Sequence, residues 1–166
     1  MLSLLLRRQP KKHLAPPVER VQPEVPYDPG LIAALTHEHR SLDLLLVKAR
    51  SAAQQNHYED VMDIMAEFRS ALEDHLRRES IELYPYLAAH LKGENSEEVL
   101  KEMRMNGVMI RRTMEGFLDH YRTYPVSYIN VAHFEIEVGG VDEELRDRLE
   151  QEEASIYTLY LPPDAY

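Results

Sequence analysis

The sequence contains no cysteine, so disulfide bonds, thiolate metal sites and cysteine nucleophiles are all excluded. No run approaches the roughly 18 consecutive apolar residues that a membrane-spanning helix needs. The chain also lacks a glycine-rich phosphate-binding loop and a serine–histidine–acid arrangement. We therefore find no signature of an enzyme, and the lack of cysteine fits a reducing compartment.

The chain opens with an apolar stretch over residues 1–6, and Arg7 and Arg8 follow it. A secretory signal has the reverse order, with its positive charge before a longer apolar region. We accordingly expect a cytoplasmic protein without a transmembrane segment. A length of 166 residues is enough to bury one sizeable core and too short to favour two full domains.

Charge is unevenly distributed along the chain, whose formal net charge is −10. Residues 1–27 carry five basic and two acidic side chains, so their net charge is +3 and that of the remainder is −13. An acidic main body disfavours nucleic acid as a partner, because phosphate contacts need clustered lysine and arginine. The first 27 residues also contain five prolines, which prevent a long helix there.

Residues 1–27 therefore form a basic, proline-rich segment that we expect to be an extended tail. It could dock on a protein partner or on the rest of the chain, and a disordered terminus is an equal alternative. From Asp28 onward the pattern is helical, and Asp28-Pro29 has the residue types of an N-cap followed by the first helical position.

Periodic apolar seams predict four amphipathic helices, joined by short loops. Their expected ranges are about 28–55, 58–92, 95–124 and 127–160. Pro85 and the Gly139-Gly140 pair are expected to bend or interrupt the helices that contain them. The predicted fold is all-α, an up-down-up-down antiparallel four-helix bundle over residues 28–160, with 161–166 as a C-terminal tail.

Five polar residues break the apolar seams at positions where a core residue is expected. They are His39, His75, Glu79, Arg148 and Glu152. In a bundle these side chains would meet at one level of the interior, and the i, i+4 spacing of His75 and Glu79 puts both on one helix face. Removing one partner of a buried ion pair typically costs about 3–5 kcal/mol, so such groups need each other or a bound ion.

The segments around these residues carry a family resemblance over about residues 28–160. EHRSL at 38–42, HLRRESIELYP at 75–85 and RLEQEEASIY at 148–157 resemble the first-, second- and fourth-helix motifs of hemerythrin-like proteins. That resemblance implies a bundle that holds two irons, bridged by carboxylates from helices 2 and 4.

The resemblance also implies a role for each matching residue. His39 and His75 match the histidines of one iron, and Glu79 and Glu152 match the bridging carboxylates. The histidine positions of the other iron match Gly107 and Arg148, neither of which can bind iron. Arg148 would place a guanidinium close to the second metal position, and Gly107 would leave room for it.

Two interpretations of the site follow. In one, His39, His75, Glu79 and Glu152 bind a single metal, and mixed nitrogen and oxygen ligands suit iron, zinc or manganese. In the other, no metal binds and Arg148 closes a buried ion-pair network with the two glutamates. We favour the second, because a guanidinium beside the site repels a cation.

Two functional hypotheses correspond to these sites. The leading one is a non-enzymatic regulatory or adaptor protein that has lost the two-iron site and binds a protein partner, with residues 1–27 as a contact surface. The alternative is a single-iron sensor of oxygen, nitric oxide or redox state. A ferritin-like carboxylate oxidase is disfavoured, because that fold uses Glu-x-x-His on two helices and this chain lacks it.

The remaining histidines and the tyrosines have less specific interpretations. We expect surface or capping roles for His37, His57, His90 and His133, and His120 is too far along the third helix from Gly107 to lie at the level of the site. We expect six tyrosines to line one end of the bundle and to serve mainly in packing. They are Tyr84, Tyr86, Tyr121, Tyr124, Tyr157 and Tyr160.

Overall fold

The computed structural model describes residues 25–91, 96–123 and 131–166. Within these ranges the chain is mostly helical and contains no strand, which is consistent with the predicted helical bundle. No helix in the described ranges is both long and apolar enough to cross a membrane. Most of the expected tail, residues 1–24, lies outside the described residues, as do 92–95 and 124–130.

Five α-helices account for most of the structure. They are α1 (Leu31–Gln54), α2 (Tyr58–Arg78), α3 (Tyr84–His90), α4 (Ser96–Thr123) and α5 (Val131–Gln151). A π-helical turn, Glu79–Leu83, joins α2 to α3, so these two helices correspond to the second predicted helix. A second π-helical turn, Glu152–Ile156, follows α5 directly, and short 3-10 turns occupy Tyr157–Leu159 and Pro163–Ala165.

The first helix begins later than predicted, because Pro29 and Gly30 form a turn before it. Gly30 is the residue that precedes α1, and its amide donates a hydrogen bond of 2.8 Å to Asp28 Oδ1. The Asp28 carbonyl accepts a further hydrogen bond of 3.2 Å from the Leu31 amide. Asp28 therefore closes the turn that leads into the helix, and the prediction that it is the N-cap is wrong.

The helices pack around a common core. Helix α1 contacts α2 and α5, and α4 also contacts α2 and α5, so each long helix has two neighbours. Buried apolar side chains of these helices form a large cluster that extends from Leu42 to Ala53 on α1 and includes Phe68, Ile110 and Phe134 on the other helices. Such burial is the main favourable contribution to the stability of a bundle.

A smaller apolar cluster lies beyond the π-helical turns. It contains Leu31, Leu35, Leu83, Tyr84, Tyr86, Leu87, Leu100, Ile156, Tyr157 and Tyr160. The Tyr27 ring stacks on Tyr160, with 5.1 Å between the ring centroids, and the Asp28 amide donates to the Tyr160 hydroxyl at 2.9 Å. The chain that precedes α1 is thus attached to this cluster.

The sequence suggested that six tyrosines line one end of the bundle, but the structure does not place all of them there. Tyr121 belongs to the large cluster, where its ring packs edge-on against Phe134 at a centroid distance of 5.1 Å. Tyr124 lies outside the described residues. At the end of the chain, the Tyr166 ring lies 5.2 Å from that of His90, so part of the expected C-terminal tail packs on the bundle.

Gly139 and Gly140 lie inside α5, which continues through them as a regular helix. The prediction that they interrupt the helix is therefore wrong. A Cβ atom at Gly139 would lie 3.0 Å from Arg50 Nη2, whereas a Cβ atom at Gly140 would meet nothing within 4 Å. The Arg50 guanidinium crosses this position to reach Asp142 Oδ2 at 3.1 Å. Close approach of an arginine explains the first glycine.

We expect Gly140→Ala to raise the free energy of unfolding by about 1 kcal/mol, because alanine loses less backbone entropy than glycine in a helix. Gly139→Ala is the matched control one residue away. Its free energy of unfolding should rise clearly less, because Arg50 must move away from the added methyl group. Urea unfolding followed by circular dichroism measures both changes. Equal stabilisation by the two substitutions would contradict the packing described for Gly139.

Candidate metal centre

A layer of polar side chains separates the two apolar clusters. On α1 the layer is His39, between the buried Leu35 and Leu42. The other members are His75 near the end of α2, Glu79 and Glu152 at the first positions of the two π-helical turns, and Arg148 in the last turn of α5. All five are at most 6% exposed, so the structure brings together the whole set that the seams predicted.

His39 is held at both ring nitrogens. Its Nδ1 lies 2.8 Å from Glu153 Oε1, and its Nε2 lies 2.9 Å from the hydroxyl of Tyr157. A carboxylate accepts hydrogen bonds, so Nδ1 carries the proton in the neutral ring and Nε2 is the acceptor of the tyrosine proton. Burial lowers the pKa of His39, which keeps the ring neutral despite the nearby Glu153.

His75 has the same arrangement at one nitrogen only. Its Nδ1 lies 3.0 Å from Glu38 Oε2, and Glu38 is held in turn by Arg78 Nη1 at 3.1 Å. Burial, together with the nearby His39 and Arg148, lowers the pKa of His75 to about 3. The ring is therefore neutral, with its proton on Nδ1. Its Nε2 is fully buried and has no hydrogen-bond partner among the described residues.

Glu79 lies on the π-helical turn Glu79–Leu83, in which the amide of Tyr84 bonds back to the Glu79 carbonyl. The Glu79 carboxylate accepts a hydrogen bond of 3.2 Å from the Tyr84 hydroxyl. The Tyr157 hydroxyl, whose proton His39 accepts, lies 3.3 Å from the other oxygen of this carboxylate. Arg148 Nη2 donates to the same carboxylate at 3.0 Å. Isolated π-helical turns within α-helices occur frequently at functional sites.

The second π-helical turn repeats this pattern. It begins at Glu152 and is followed by Tyr157, whose amide bonds back to the Glu152 carbonyl. Both turns therefore have the form Glu-x4-Tyr. They differ in the residue four positions before the glutamate, which is His75 in the first case and Arg148 in the second. Pro85 follows only the first turn, so proline is not the common cause of the two.

Arg148 joins the two carboxylates. Its Nη2 contacts Glu79 Oε2 at 3.0 Å and lies directly against Glu152 Oε1. A Cβ atom at Gly107 would lie 3.4 Å from both terminal nitrogens of Arg148, so a larger side chain at this position would occupy the space of the guanidinium. The guanidinium thus lies over Gly107, as expected from the sequence.

The two carboxyl groups are harder to ionise than usual. Burial raises the pKa of Glu79, although Arg148 opposes this effect. Burial also raises the pKa of Glu152, and the negative charge of Glu79 contributes. One guanidinium balances only one of the two carboxylates, so the buried group of three is electrically neutral when the glutamates share a single proton.

Several of these groups converge on one point. His39, His75 and Glu152 each offer one ligand atom, and the three atoms all lie within 4.8 Å of one another. His39 Nε2 is 3.7 Å from Glu152 Oε2, and that oxygen, like His75 Nε2, has no hydrogen-bond partner among the described residues. Two unsatisfied acceptors that face one small space fit a bound cation.

Glu79 lies at the edge of this convergence. Its Oε1 is 3.8 Å from His75 Nε2 and 3.3 Å from the Tyr157 hydroxyl, and its Oε2 accepts hydrogen bonds from Tyr84 and Arg148. Its role as a fourth ligand stays a prediction.

Four contributors to the site were not identified as such from the sequence. They are Glu38, Glu153, Tyr84 and Tyr157. Glu38 and Glu153 are the neighbours of seam residues in the sequence, and they lie outside the seams at 26% and 43% exposure. We had assigned packing roles to the tyrosines. The Glu-x4-Tyr spacing, which occurs in both motifs, was the signal that could have identified them as part of the site.

The other histidines within the described ranges lie away from the site. His37 is exposed on α1. His57 and His133 are 59% exposed and lie near Asp60 and Glu137 respectively, which agrees with surface roles. His90 Nδ1 lies 2.9 Å from the Tyr86 carbonyl at the end of α3, where it helps to close the helix.

Comparison with known proteins gives a family match. The chain matches the family of the hemerythrin HHE cation binding domain over residues 19–160. No curated protein and no solved structure matches the chain. The family match includes all of the buried polar residues and both π-helical turns. The chain therefore belongs to the hemerythrin family of HHE cation-binding domains.

Proposed function

We propose that this chain is a hemerythrin-like domain that binds one metal ion, iron before zinc or manganese, and acts as a non-enzymatic sensor or regulator. The ligands would be His39, His75 and Glu152, with Glu79 as a fourth. The observation that carries the proposal is the state of the two imidazoles. Both hold a carboxylate at Nδ1, and burial lowers the pKa of both. His39 Nε2 lies 3.7 Å from Glu152 Oε2, and His75 Nε2 lies 3.8 Å from Glu79 Oε1.

A carboxylate at the outer nitrogen is the usual arrangement of metal-binding histidine. It fixes the tautomer and the ring orientation and makes the inner nitrogen a better ligand. Glu153 has this position at His39, and Glu38 has it at His75. A metal-free network would be more stable if His75 Nε2 also had a hydrogen-bond partner, and among the described residues it has none.

The number of metal ions follows from Arg148. Its guanidinium occupies the space over Gly107 and contacts both carboxylates, on the side where the family resemblance implies the second iron. On the side with the two histidines, one ligand atom each of His39, His75 and Glu152 lies within 4.8 Å of the others. The sequence led us to favour a metal-free site. This convergence of ligand atoms is our reason for proposing one bound ion instead.

Bound iron would supply a redox-active centre with coordination positions for a small ligand. The chain's own residues would hold the ion, exclude bulk water through the two flanking apolar clusters, and keep hydrogen-bond donors near it. Tyr84 and Tyr157 are the nearest hydroxyl donors, and burial raises the pKa of both, so they remain protonated. These features suit detection of oxygen, nitric oxide or redox state.

A metal-free adaptor is the second candidate. The observation that favours it is the pair of contacts from Arg148 to Glu79 and Glu152, which supplies a cation without any metal. In that case a protein partner would bind the exterior, with the basic segment 1–27 as one contact surface. Loss of residues 1–27 would then weaken partner binding.

We expect about one metal ion per chain after anaerobic purification and reconstitution with iron, measured by elemental analysis. His75→Ala should bind less than a tenth of that amount and remain helical by circular dichroism, because it removes an inward ligand atom. His37→Ala is the matched control, since it changes an exposed histidine of α1, and it should bind normally. A folded wild-type chain that takes up no iron, zinc or manganese would support the adaptor instead.

Glu153→Gln should weaken metal binding by about 10- to 100-fold, because the amide accepts the His39 Nδ1 proton less strongly than the carboxylate does. The control Glu150→Gln makes the same chemical change on an exposed residue of α5, and its affinity should match that of the wild type. Competition with a chelator of known affinity measures both. Equal affinities in all three proteins would rule out an orienting role for Glu153.

Metal binding should release about one proton near pH 7, because the ion takes the place of the proton shared by Glu79 and Glu152. The raised pKa values of these groups make the metal-free site hold that proton, so affinity should rise as pH increases. Neutral His75, with a pKa of about 3, contributes no proton in this range. Calorimetric titration in buffers of different ionisation enthalpy measures the number, and a value near zero would contradict the shared proton.

A further inference from the structure

A cavity of about 210 Å³ opens beside the polar layer, between α4 and the first π-helical turn. The residues that line it include three arginines, Arg104, Arg111 and Arg148, and a single acidic residue, Glu79. The chain as a whole has a net charge of −10, so a group of three arginines around one cavity is opposite in sign to the protein that surrounds it.

Arg104 and Arg111 give the cavity its positive charge. Arg148 is already balanced by Glu79 and Glu152. Within the described residues, by contrast, neither Arg104 nor Arg111 forms an ion pair with a carboxylate. The guanidinium carbon of Arg104 lies 5.6 Å from the centre of the Tyr84 ring, a cation–π contact that orients it at the wall.

The remaining polar groups of the wall are engaged within the protein. The Ser80 hydroxyl donates to the Leu76 carbonyl at 2.8 Å, and the Tyr84 hydroxyl donates to Glu79 Oε2 at 3.2 Å. The donors left to a ligand are therefore guanidinium N–H groups. A guanidinium presents its donors in a planar fork that matches the oxygens of a phosphate or a similar oxyanion.

We propose that this cavity binds a small dianionic oxyanion of the phosphate class, held between Arg104 and Arg111. The size of the cavity favours this class, because sites for drug-sized organic ligands are usually about 300–1,000 Å³ and this one is smaller. Two arginines without carboxylate partners match the two charges of such an anion. The inference is independent of the proposed metal site, although Glu79 borders both.

The test is calorimetric titration of the full, chelator-treated chain with inorganic phosphate at constant ionic strength in a chloride background. Chelation keeps the anion from binding to a metal. We expect saturable binding of one phosphate per chain, competition by sulfate, and much weaker competition by the monoanion acetate. If a phosphomonoester competes as well as inorganic phosphate, the cavity also accepts the phosphate group of an organic molecule. If the phosphomonoester does not compete but sulfate does, the cavity binds only the free ion.

Arg104→Gln and Arg111→Gln should each weaken phosphate binding about tenfold, because each removes a charged donor to the anion. Arg112→Gln is the matched control, since it removes the same charge from an exposed, adjacent position of α4 that does not line the cavity. Its affinity should stay within about twofold of the wild type. An equal loss in all three variants would mean non-specific attraction and would overturn the proposal.

Val108→Phe provides a test that leaves the charge unchanged. Val108 lines the cavity and is 44% exposed, so a phenyl group there should fill the space without disturbing the core. We expect this variant to lose phosphate binding and to keep its helical circular dichroism. Undiminished binding in Val108→Phe, or the absence of saturable binding to the wild type, would show that the cavity is not an anion site.

Discussion

The structure depends on the burial of five polar or charged side chains in the middle of an apolar bundle. His39, His75, Glu79, Arg148 and Glu152 are each at most 6% exposed, and apolar clusters lie on both sides of them. Isolated charges in such a place cost several kcal/mol each, so the layer exists only if its members satisfy one another or a bound ion. The rest of the local structure can be understood as meeting this requirement.

Both π-helical turns serve the layer. The two π-helical turns begin at the two buried glutamates and end before two tyrosines, and three of these four groups meet at the Glu79 carboxylate. Glu38 and Glu153 reach inward from the surface to hold the outer nitrogens of the histidines. Arg148 neutralises one of the two carboxylates, and Gly107 leaves space for its guanidinium. Within the part of the chain that the structure describes, His75 Nε2 and Glu152 Oε2 are among the buried polar atoms that lack a hydrogen-bond partner.

The two halves of the site share one pattern and differ at one residue. His75 and Arg148 occupy equivalent positions four residues before a glutamate and nine before a tyrosine. The histidine contributes a neutral imidazole and the arginine a permanent positive charge. The two halves of the layer therefore have the same pattern but differ in charge. The same arginine also borders the cavity next to α4, so the layer is close to the surface on that side.

The sequence by itself determined the helical fold, the approximate helix ranges and the five residues of the layer, because helical periodicity assigns each residue to a face and polar residues in an apolar seam must be buried. It did not determine the π-helical turns or the regular course of α5 through Gly139. It also did not identify Glu38, Glu153 and the hydroxyl of Tyr157 as partners of the histidines. Those contacts join groups 37 to 118 residues apart, so they depend on the distances between packed helices, which no local pattern encodes. Only the tertiary structure decides which nitrogen of each imidazole faces the interior, because that choice is made by the carboxylate that reaches the other one.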